Sequence, residues 1–526
     1  MWQQTYTPVA ASLPLSALVA AVPIFVLLIL LGVMRKPAWV ASLSGLAAAA
    51  VVAGGVYGMP LDRLFSSVVF GAAFGLFPIG WVVFSAIMLY RVTLESGKFE
   101  VLKDSIGHLT TDRNLQAMLI AFAFGAFIEG AAGFGTPVAV AAAMLTGLGF
   151  EPFYAAAICL LANTAPVAFG SIAIPVVTLA GTTGLPLDRI SAAVGRICAP
   201  VSLFVPAYLI AVMSGRAGLR SVWKAAALCG IAFGGTQFLV SNFIGPQLTD
   251  ILSSMAAMGA LLIFVSRTGG VQRHPRKEIM AAWMPYVLLV IFVLAWGIDP
   301  IKTWLNSYNK LIQWPGLHNT ILRMPPVVAK PSLYGAAYNF TWLSASGTAC
   351  LFAAICASIF AGLKPRQFLG VIGHTARQLA KAELTLAAVL GLAYLMNYSG
   401  STATLGLAFA ATGALFPFFS ALLGWLGVFL TGSDTSANAL FGTLQVVTAN
   451  KLGQNAVLMA ASNSAGGVMG KMISLTSIAV ASAATSMKRE QEALLFRFTL
   501  KHSVFLASVI GLLVMFYAYV APQWAP

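Results

Sequence analysis

Four charged residues lie well inside segments that are otherwise hydrocarbon: Glu129, Arg196, Asp434 and Lys471. A charge in the interior of a membrane is costly and is usually retained for function. For Glu129 and Asp434 the matching chemistry is proton uptake, because a carboxylate removed from water binds a proton more readily. The alternative is a fixed pairing of these carboxylates with Lys471 or Arg196 that only holds the packing.

Each of the two carboxylates stands in a stretch rich in glycine or hydroxyl residues, FIEGAAGFGTP (127–137) and FLTGSDTSA (429–437). Backbone that is not helical cannot face lipid, because each unpaired amide costs several kcal/mol. Such a break is tolerable only where it lines a polar cavity. Four breaks are predicted on this basis, at 129–137, 163–170, 431–438 and 463–471.

These breaks supply the groups that a small anion requires. Helix N-termini present free N–H groups and a partial positive charge, and glycine lets the backbone approach a ligand closely. A hydrogen bond from any one Ser or Thr to its own helix is an alternative of equal weight. The predicted substrate-binding residues are Gly130, Gly133, Gly135, Asn163, Thr164, Thr431, Gly432, Ser433, Thr435, Ser436, Asn463, Ser464 and Lys471.

The composition defines the class of protein. Of the 526 residues 59% are apolar and only 9% charged, which predicts an integral membrane protein. The net charge of +15 falls in short loops between apolar segments, a pattern set by membrane topology rather than by a nucleic-acid partner. Nucleotide-binding, zinc and nucleophile motifs are absent, so neither an ATP-driven pump nor an enzyme is expected, and no cofactor or metal.

Apolar segments long enough to cross about 30 Å of hydrocarbon recur along the chain. Two further segments, 115–150 and 418–450, are broken near their centres and are predicted to be re-entrant hairpins. With both termini outside, most of the 30 basic residues fall in inside loops, Arg267 and Arg273 among them. The twelve predicted spans are 13–33, 38–58, 64–90, 153–181, 190–213, 223–244, 248–266, 282–298, 341–361, 382–398, 455–484 and 500–521.

The two broken segments resemble each other, FGAFIEGAAGFG (124–135) aligning with LGVFLTGSDTSA (426–437), and Asn163 pairs with Asn463 further on. In the predicted topology the two hairpins enter from opposite sides, so the repeat is inverted. An all-α membrane protein with inverted repeats and discontinuous helices is typical of secondary transporters. The predicted divisions are a first repeat at 1–214 (hairpin 115–150, broken helix 153–181), an inserted helix pair at 215–281, and a second repeat at 282–526 (hairpin 418–450, broken helix 455–484).

The chain resembles the L-lactate permease family over nearly its whole length. The resemblance is carried by FIEGAAGFGTPVAV, NTAPVAFG, RMPPVV (323–328), GWLGVFLTGSDTSANALF (424–441) and GKMIS (470–474). It implies a multi-pass bacterial inner-membrane symporter surrounded by lipid, and the loop charges place both of its termini in the periplasm. Such a symporter takes up L-lactate, and also D-lactate and glycolate, together with protons by alternating access. The oligomeric state is left open.

The residues alone indicate only a small anion with a coupling cation. One alternative is a sodium-coupled carboxylate carrier, because amide and carbonyl oxygens at the breaks could bind Na⁺. Two intramembrane carboxylates favour protons over sodium. A passive anion channel is the second alternative, and it differs in being unable to accumulate substrate against a gradient.

Overall fold

The computed structural model describes residues 1–133, 135–265 and 274–525, so Arg267 and Arg273 lie outside the described residues. Long apolar segments form helices because a helix pairs its own backbone amides inside a membrane. In the first part of the chain the helices are α1 (Leu13–Leu28), α2 (Ala38–Gly55), α3 (Leu61–Phe74), α4 (Trp81–Glu95), α5 (Lys98–Gly107), α6 (Arg113–Ala117), α7 (Gly125–Ala131), α8 (Thr136–Gly147), α9 (Pro152–Ala162) and α10 (Gly170–Thr183).

The second part begins with a helix of 57 residues that non-helical backbone at Gly215 and Val222 divides. The helices here are α11 (Leu187–Phe243), α12 (Thr249–Val265), α13 (Arg276–Gly297), α14 (Asp299–Asn306), α15 (Ser346–Phe360), α16 (Pro365–Ser399), α17 (Ser401–Phe409), α18 (Phe416–Thr431), α19 (Asp434–Leu452), α20 (Ala456–Lys471), α21 (Leu475–Ala484) and α22 (Arg489–Tyr519). Short π or 3-10 turns extend or join them at Ile29–Val33, Gly75–Gly80, Met118–Phe124, Val167–Phe169, Ala410–Leu415 and Pro522–Trp524.

The predicted fold class, a helical integral membrane protein, is confirmed. By length and composition, ten helices of the described residues could cross a membrane, or eleven when α9 and α10 count as one span bent by 64°. Every predicted span has a helical counterpart, with α11 containing two of them, 190–213 and 223–244. Helices α12 and α15 are short for a span, at 17 and 15 residues.

Five short strands lie near the N-terminus and in the segment before α15, and sequence patterns did not predict them. Strand β1 pairs in parallel with β3, which pairs antiparallel with β4, while β2 pairs antiparallel with β5. The β1–β3 pairing places the N-terminus and the 299–340 loop on one side of the helices, as the predicted topology requires. The strands are β1 (Trp2–Gln3), β2 (Lys310–Gln313), β3 (Ile321–Arg323), β4 (Ser332–Leu333) and β5 (Ala337–Phe340).

Both broken segments fold as pairs of helices whose arms run back alongside each other. In the first, Arg113 Nη1 at the start donates to the Leu148 carbonyl at the end, over 2.9 Å. In the second, Ser420 Oγ donates to Gln445 Oε1 over 2.7 Å, and Gln445 Nε2 donates back to the Ser420 carbonyl over 3.0 Å. The tips are the links between α7 and α8 and between α18 and α19. The inverted relation of the two halves stays a prediction.

Three of the four predicted breaks are present, and the fourth is wrong. Helix α20 continues unbroken through 463–471, and the interruption comes only afterwards, before α21. The glycines there serve packing instead, because a Cβ on Gly466 or Gly470 would overlap the backbone of α18. Small residues let two helices approach closely in a membrane. Glycine content alone does not distinguish such packing from a break.

Candidate functional site

A cavity of about 270 Å³ lies between the two hairpin tips. The tips and the break before α10 form part of its wall, α16 and the start of α21 form another part, and Ala38, Val83 and Lys471 complete it. Its size is at the lower end of the range for small-molecule sites, which suits a compact solute. The predicted site residues that line it are Glu129, Gly135, Thr431, Gly432, Ser433, Asp434, Thr435, Ser436 and Lys471.

Glu129 is on the last turn of α7, with a side chain only 4% exposed. Its Oε2 has no hydrogen-bond partner among the described residues. The Asn163 side chain faces the carboxylate, but neither of its amide atoms meets hydrogen-bond geometry. The C-terminal end of a helix carries the negative end of its dipole. Burial and the dipole of α7 therefore both favour the neutral acid at this position.

Asp434 has the opposite setting, as the first residue of α19. Its Oδ2 accepts a hydrogen bond from Ser464 Oγ over 2.6 Å and a longer one from Asn438 Nδ2 over 3.4 Å. The helix start is fixed by Ser433, whose Oγ accepts from the Ser436 N–H over 3.2 Å. Two donors and the positive end of the helix dipole offset part of the cost of an ionised carboxylate here, while Oδ1 has no hydrogen-bond partner among the described residues.

Lys471 lies between the two carboxylates, and its charge acts on both. Its Nζ donates to the carbonyl of Gly432 over 2.7 Å, at the negative end of α18. Among the described residues, neither Lys471 nor Arg196 forms an ion pair within 4.0 Å of a carboxylate. Arg196 instead donates to Asn242 Oδ1 over 2.8 Å and to the Trp524 carbonyl over 2.7 Å. The fixed pairing considered for the carboxylates is therefore not present.

Each hairpin tip turns at a glycine that meets a hydroxyl group. Gly133 has φ +60° and Gly432 has φ +72°, a backbone region that favours glycine. A Cβ on Gly133 would overlap the hydroxyl of Ser171, and a Cβ on Gly432 would overlap that of Thr476. Ser171 Oγ also donates to the Ala132 carbonyl over 2.9 Å. The first tip is thus hydrogen-bonded to α10, and the second packs closely against α21.

Helix α10 starts with an unusual turn. Ser171, Ile172 and Ala173 have φ values of 47°, 59° and 61°, so three consecutive residues with a Cβ are left-handed. Left-handed backbone costs about 1–2 kcal/mol per residue for such residues. The surrounding packing must hold this turn in place.

Six predicted binding residues do not line the cavity: Gly130, Gly133, Asn163, Thr164, Asn463 and Ser464. Thr164 Oγ1 donates to the Leu161 carbonyl over 2.8 Å. Thr164 therefore forms the hydrogen bond within its own segment that was the alternative to binding substrate. The same is true of Thr431, which donates to Gly427 over 2.7 Å although it lines the cavity. Asn463 bonds to Asn438 and Gln445, so it joins α19 to α20.

Sequence reasoning missed two acids near the cavity. Glu383 of α16 lines the cavity half-buried, and its Oε1 has no hydrogen-bond partner among the described residues. Asp250 of α12 is 1% exposed and is packed beside α7. A signal was available, since both acids fall inside predicted spans, 382–398 and 248–266. Both stand close to a span end, where an acid is easily taken for an interfacial group.

The sequence model of the L-lactate permease family matches residues 16–521. The chain belongs to that family. The L-lactate permease of Bacillus subtilis strain 168 is 43% identical over 97% of each chain, and that of Escherichia coli K12 is 40% identical over the whole of both. The glycolate permease GlcA of Escherichia coli K12 is 42% identical, over 99% of this chain and 98% of its own.

Family membership confirms the resemblance drawn from the sequence motifs, and the relatives are permeases rather than enzymes. Two of those motifs, 127–140 and 424–441, contain the two hairpin tips that line the cavity. Among solved structures, the YdaH transporter of Alcanivorax borkumensis matches with a TM-score of 0.49 and 14% identity, over 88% of this chain and 90% of that one.

Proposed function

We propose that this chain is a secondary active transporter of a bacterial inner membrane that imports L-lactate, and also D-lactate and glycolate, by proton symport with alternating access. The names of the relatives support the substrates. The observation that carries the mechanism is a single cavity, lined by both hairpin tips, in which one ammonium and several acids meet.

The substrate carboxylate binds near Lys471 and the first turn of α19. Lys471 supplies a positive charge, and the N–H groups that open α19 supply the positive end of a helix dipole. The hydroxyl group of a 2-hydroxy acid then meets the polar side chains of Thr435, Ser436 and Ser477, which line the same cavity. A cavity of about 270 Å³ accommodates a compact carboxylate such as lactate or glycolate.

Coupling to protons follows from the charges around the cavity. An anion entering beside ionised Glu129 is repelled, by about 3 kcal/mol for charges about 5 Å apart at an effective dielectric constant of about 20. Protonation of Glu129 removes that repulsion and raises the affinity for the anion on the order of 100-fold. By linkage the bound anion raises the proton affinity of Glu129 by the same factor. The neutral pair, proton plus anion, then moves together. Asp434, the second predicted coupling residue, contributes less because Ser464, Asn438 and the start of α19 offset part of the cost of ionising it.

The test is lactate uptake by purified protein in proteoliposomes, with an acidic exterior and with or without sodium. For one coupled proton, a gradient of about one pH unit sustains about tenfold accumulation. We expect that accumulation to vanish with a protonophore, to be indifferent to sodium, and to be competed by D-lactate and glycolate. A requirement for a sodium gradient would instead identify a sodium-coupled carrier. Equilibration without accumulation would identify a passive anion channel.

A further inference from the structure

A second buried acid stands behind Glu129. Asp250 is the second residue of α12 and is 1% exposed. Neither of its carboxylate oxygens has a hydrogen-bond partner among the described residues. An ionised carboxylate buried without a partner is very costly. Asp250 is therefore either protonated or balanced by a positive charge that moves next to it.

Asp250 is close to Glu129 because their two helices touch at a glycine. A Cβ placed on Gly130, the neighbour of Glu129, would lie 2.9 Å from the Cβ of Asp250. The charges of the two acids act on each other. On α11, the ionisable group that interacts with Asp250 is Cys198. The other elements packed on α12, α10 and the turn Met118–Phe124, contain no ionisable residue.

The surroundings of the two acids are polar as well as buried. Gln237 of α11 is fully buried and donates through Nε2 to the Ala165 carbonyl over 3.1 Å, in the break before α10. Its Oε1 has no partner among the described residues, and neither have the amide atoms of Asn163. Free amide groups of this kind lower the cost of forming a transient charge in a dry interior.

We propose that Asp250 and Glu129 form a proton-transfer pair through which the coupled proton passes between the outer side of the protein and the cavity. The charge of Lys471 acts on Glu129, but among the described residues no cation lies within 4.0 Å of either carboxyl group. Two neighbouring carboxyl groups of this kind do not both ionise, so the pair retains one proton and exchanges a second. In the transfer, the O–H bond of Asp250 breaks and an O–H bond forms on the Glu129 carboxylate. The negative charge moves to Asp250.

The position of Asp250 gives this transfer a direction. It follows the turn 244–248 between α11 and α12, which the predicted topology places on the outer side. Glu129 lines the cavity, whereas Asp250 does not. Asp250 is thus the member of the pair nearer to the turn, and Glu129 is the member nearer to the substrate. The proposal rests on proton symport as the function of the chain.

The experiment compares two modes of transport in proteoliposomes containing Asp250→Asn. Net uptake driven by a pH gradient requires the proton to enter and leave Glu129 in every cycle, whereas exchange of external for internal lactate does not. We expect net uptake to slow by at least about tenfold while exchange continues at the wild-type rate. Asp250→Glu, which keeps the acid, restores net uptake. Ser253→Ala, a buried change one turn along α12, is the matched control and leaves both modes intact.

A second variant tests the pair without removing either acid. Gly130→Ala forces α7 away from α12 and separates the two carboxyl groups, so it should also slow net uptake selectively. The double variant Glu129→Gln with Asp250→Asn should be no slower than Glu129→Gln alone, because both act on one step.

Three results would overturn the proposal: wild-type net uptake in Asp250→Asn, equal loss of both transport modes in Asp250→Asn without rescue by Asp250→Glu, or a sodium stimulation that Asp250→Asn abolishes. A wild-type protein that fails to accumulate lactate would refute the proposed function itself.

Discussion

The two hairpin tips share one architecture and differ in electrostatics. Glu129 ends a helix at the first tip, whereas Asp434 begins a helix at the second. The helix dipole therefore opposes negative charge on Glu129 and favours it on Asp434. Asp434 also accepts bonds from Ser464 and Asn438, while Glu129 faces a second acid, Asp250. Both acids are buried, but the two donors and the helix start make ionisation less costly for Asp434 than for Glu129.

The largest effect is expected from Glu129→Gln, which keeps the shape of the side chain but carries no exchangeable acidic proton. Accumulation under a gradient of about one pH unit should fall from about tenfold to about unity, with lactate exchange retained. Uptake of labelled lactate in proteoliposomes measures both. If Asp434→Asn abolished accumulation and Glu129→Gln did not, the roles assigned to the two acids would have to be exchanged.

Asp434→Asn should act mainly on stability and affinity. The amide oxygen of the new Asn can keep the bonds from Ser464 and Asn438, which puts its NH₂ group at the position of Oδ1, where no partner lies. A buried donor without a partner costs about 1–3 kcal/mol in the free energy of unfolding. Thermal denaturation in detergent should show a lower Tm for this variant than for Glu129→Gln. Ser464→Ala, which removes only one donor, should have a smaller effect. Equal Tm values for Asp434→Asn and the wild type would contradict the role assigned to these bonds.

Both tips turn at a glycine in the left-handed region, so substitution of that glycine tests a feature that the tips share. Gly133→Ala and Gly432→Ala each place a Cβ on left-handed backbone and against a hydroxyl, so each should cost at least about 1–2 kcal/mol. Gly147→Ala is the control, because a Cβ there meets no atom within 4 Å. Combining Gly133→Ala with Ser171→Ala should restore only part of the lost Tm, because the backbone strain remains. Full restoration would show that the steric overlap alone matters.

The smallest effect is expected at Glu383, which faces both tips from α16. Glu383→Gln removes a partly exposed negative charge beside an anion site, worth about 0.2–1 kcal/mol. The KM for lactate should fall, and by more as the pH rises, since the repulsion exists only while Glu383 is ionised. Glu95→Gln, an exposed acid outside the cavity, is the matched control. A KM that rises instead would place Glu383 among the groups that hold the substrate.

Much of this architecture could be predicted because membrane insertion imposes simple rules on the sequence. Apolar length predicted the spans, and glycine with Ser or Thr predicted the two tips and the break before α10. The strands β1–β5 and helix α17 could not be predicted, because they are short and depend on partners distant in sequence. The cavity members Thr476 and Glu383 were missed since their positions depend on how helices pack against each other.

The two tips differ in the backbone strain of the helix that each one contacts, because only α10 starts with a left-handed turn. Ser171 donates to the Ala132 carbonyl, so the strained turn is held partly by the first tip. Withdrawal of that tip would let Ser171–Ala173 relax and release up to a few kcal/mol. Helix α21 begins instead with an ordinary cap, Ser474 Oγ accepting from the Ser477 N–H over 3.2 Å, and stores no such energy. Movement of the first tip away from α10 would therefore be favoured by this strain, and movement of the second tip away from α21 would not.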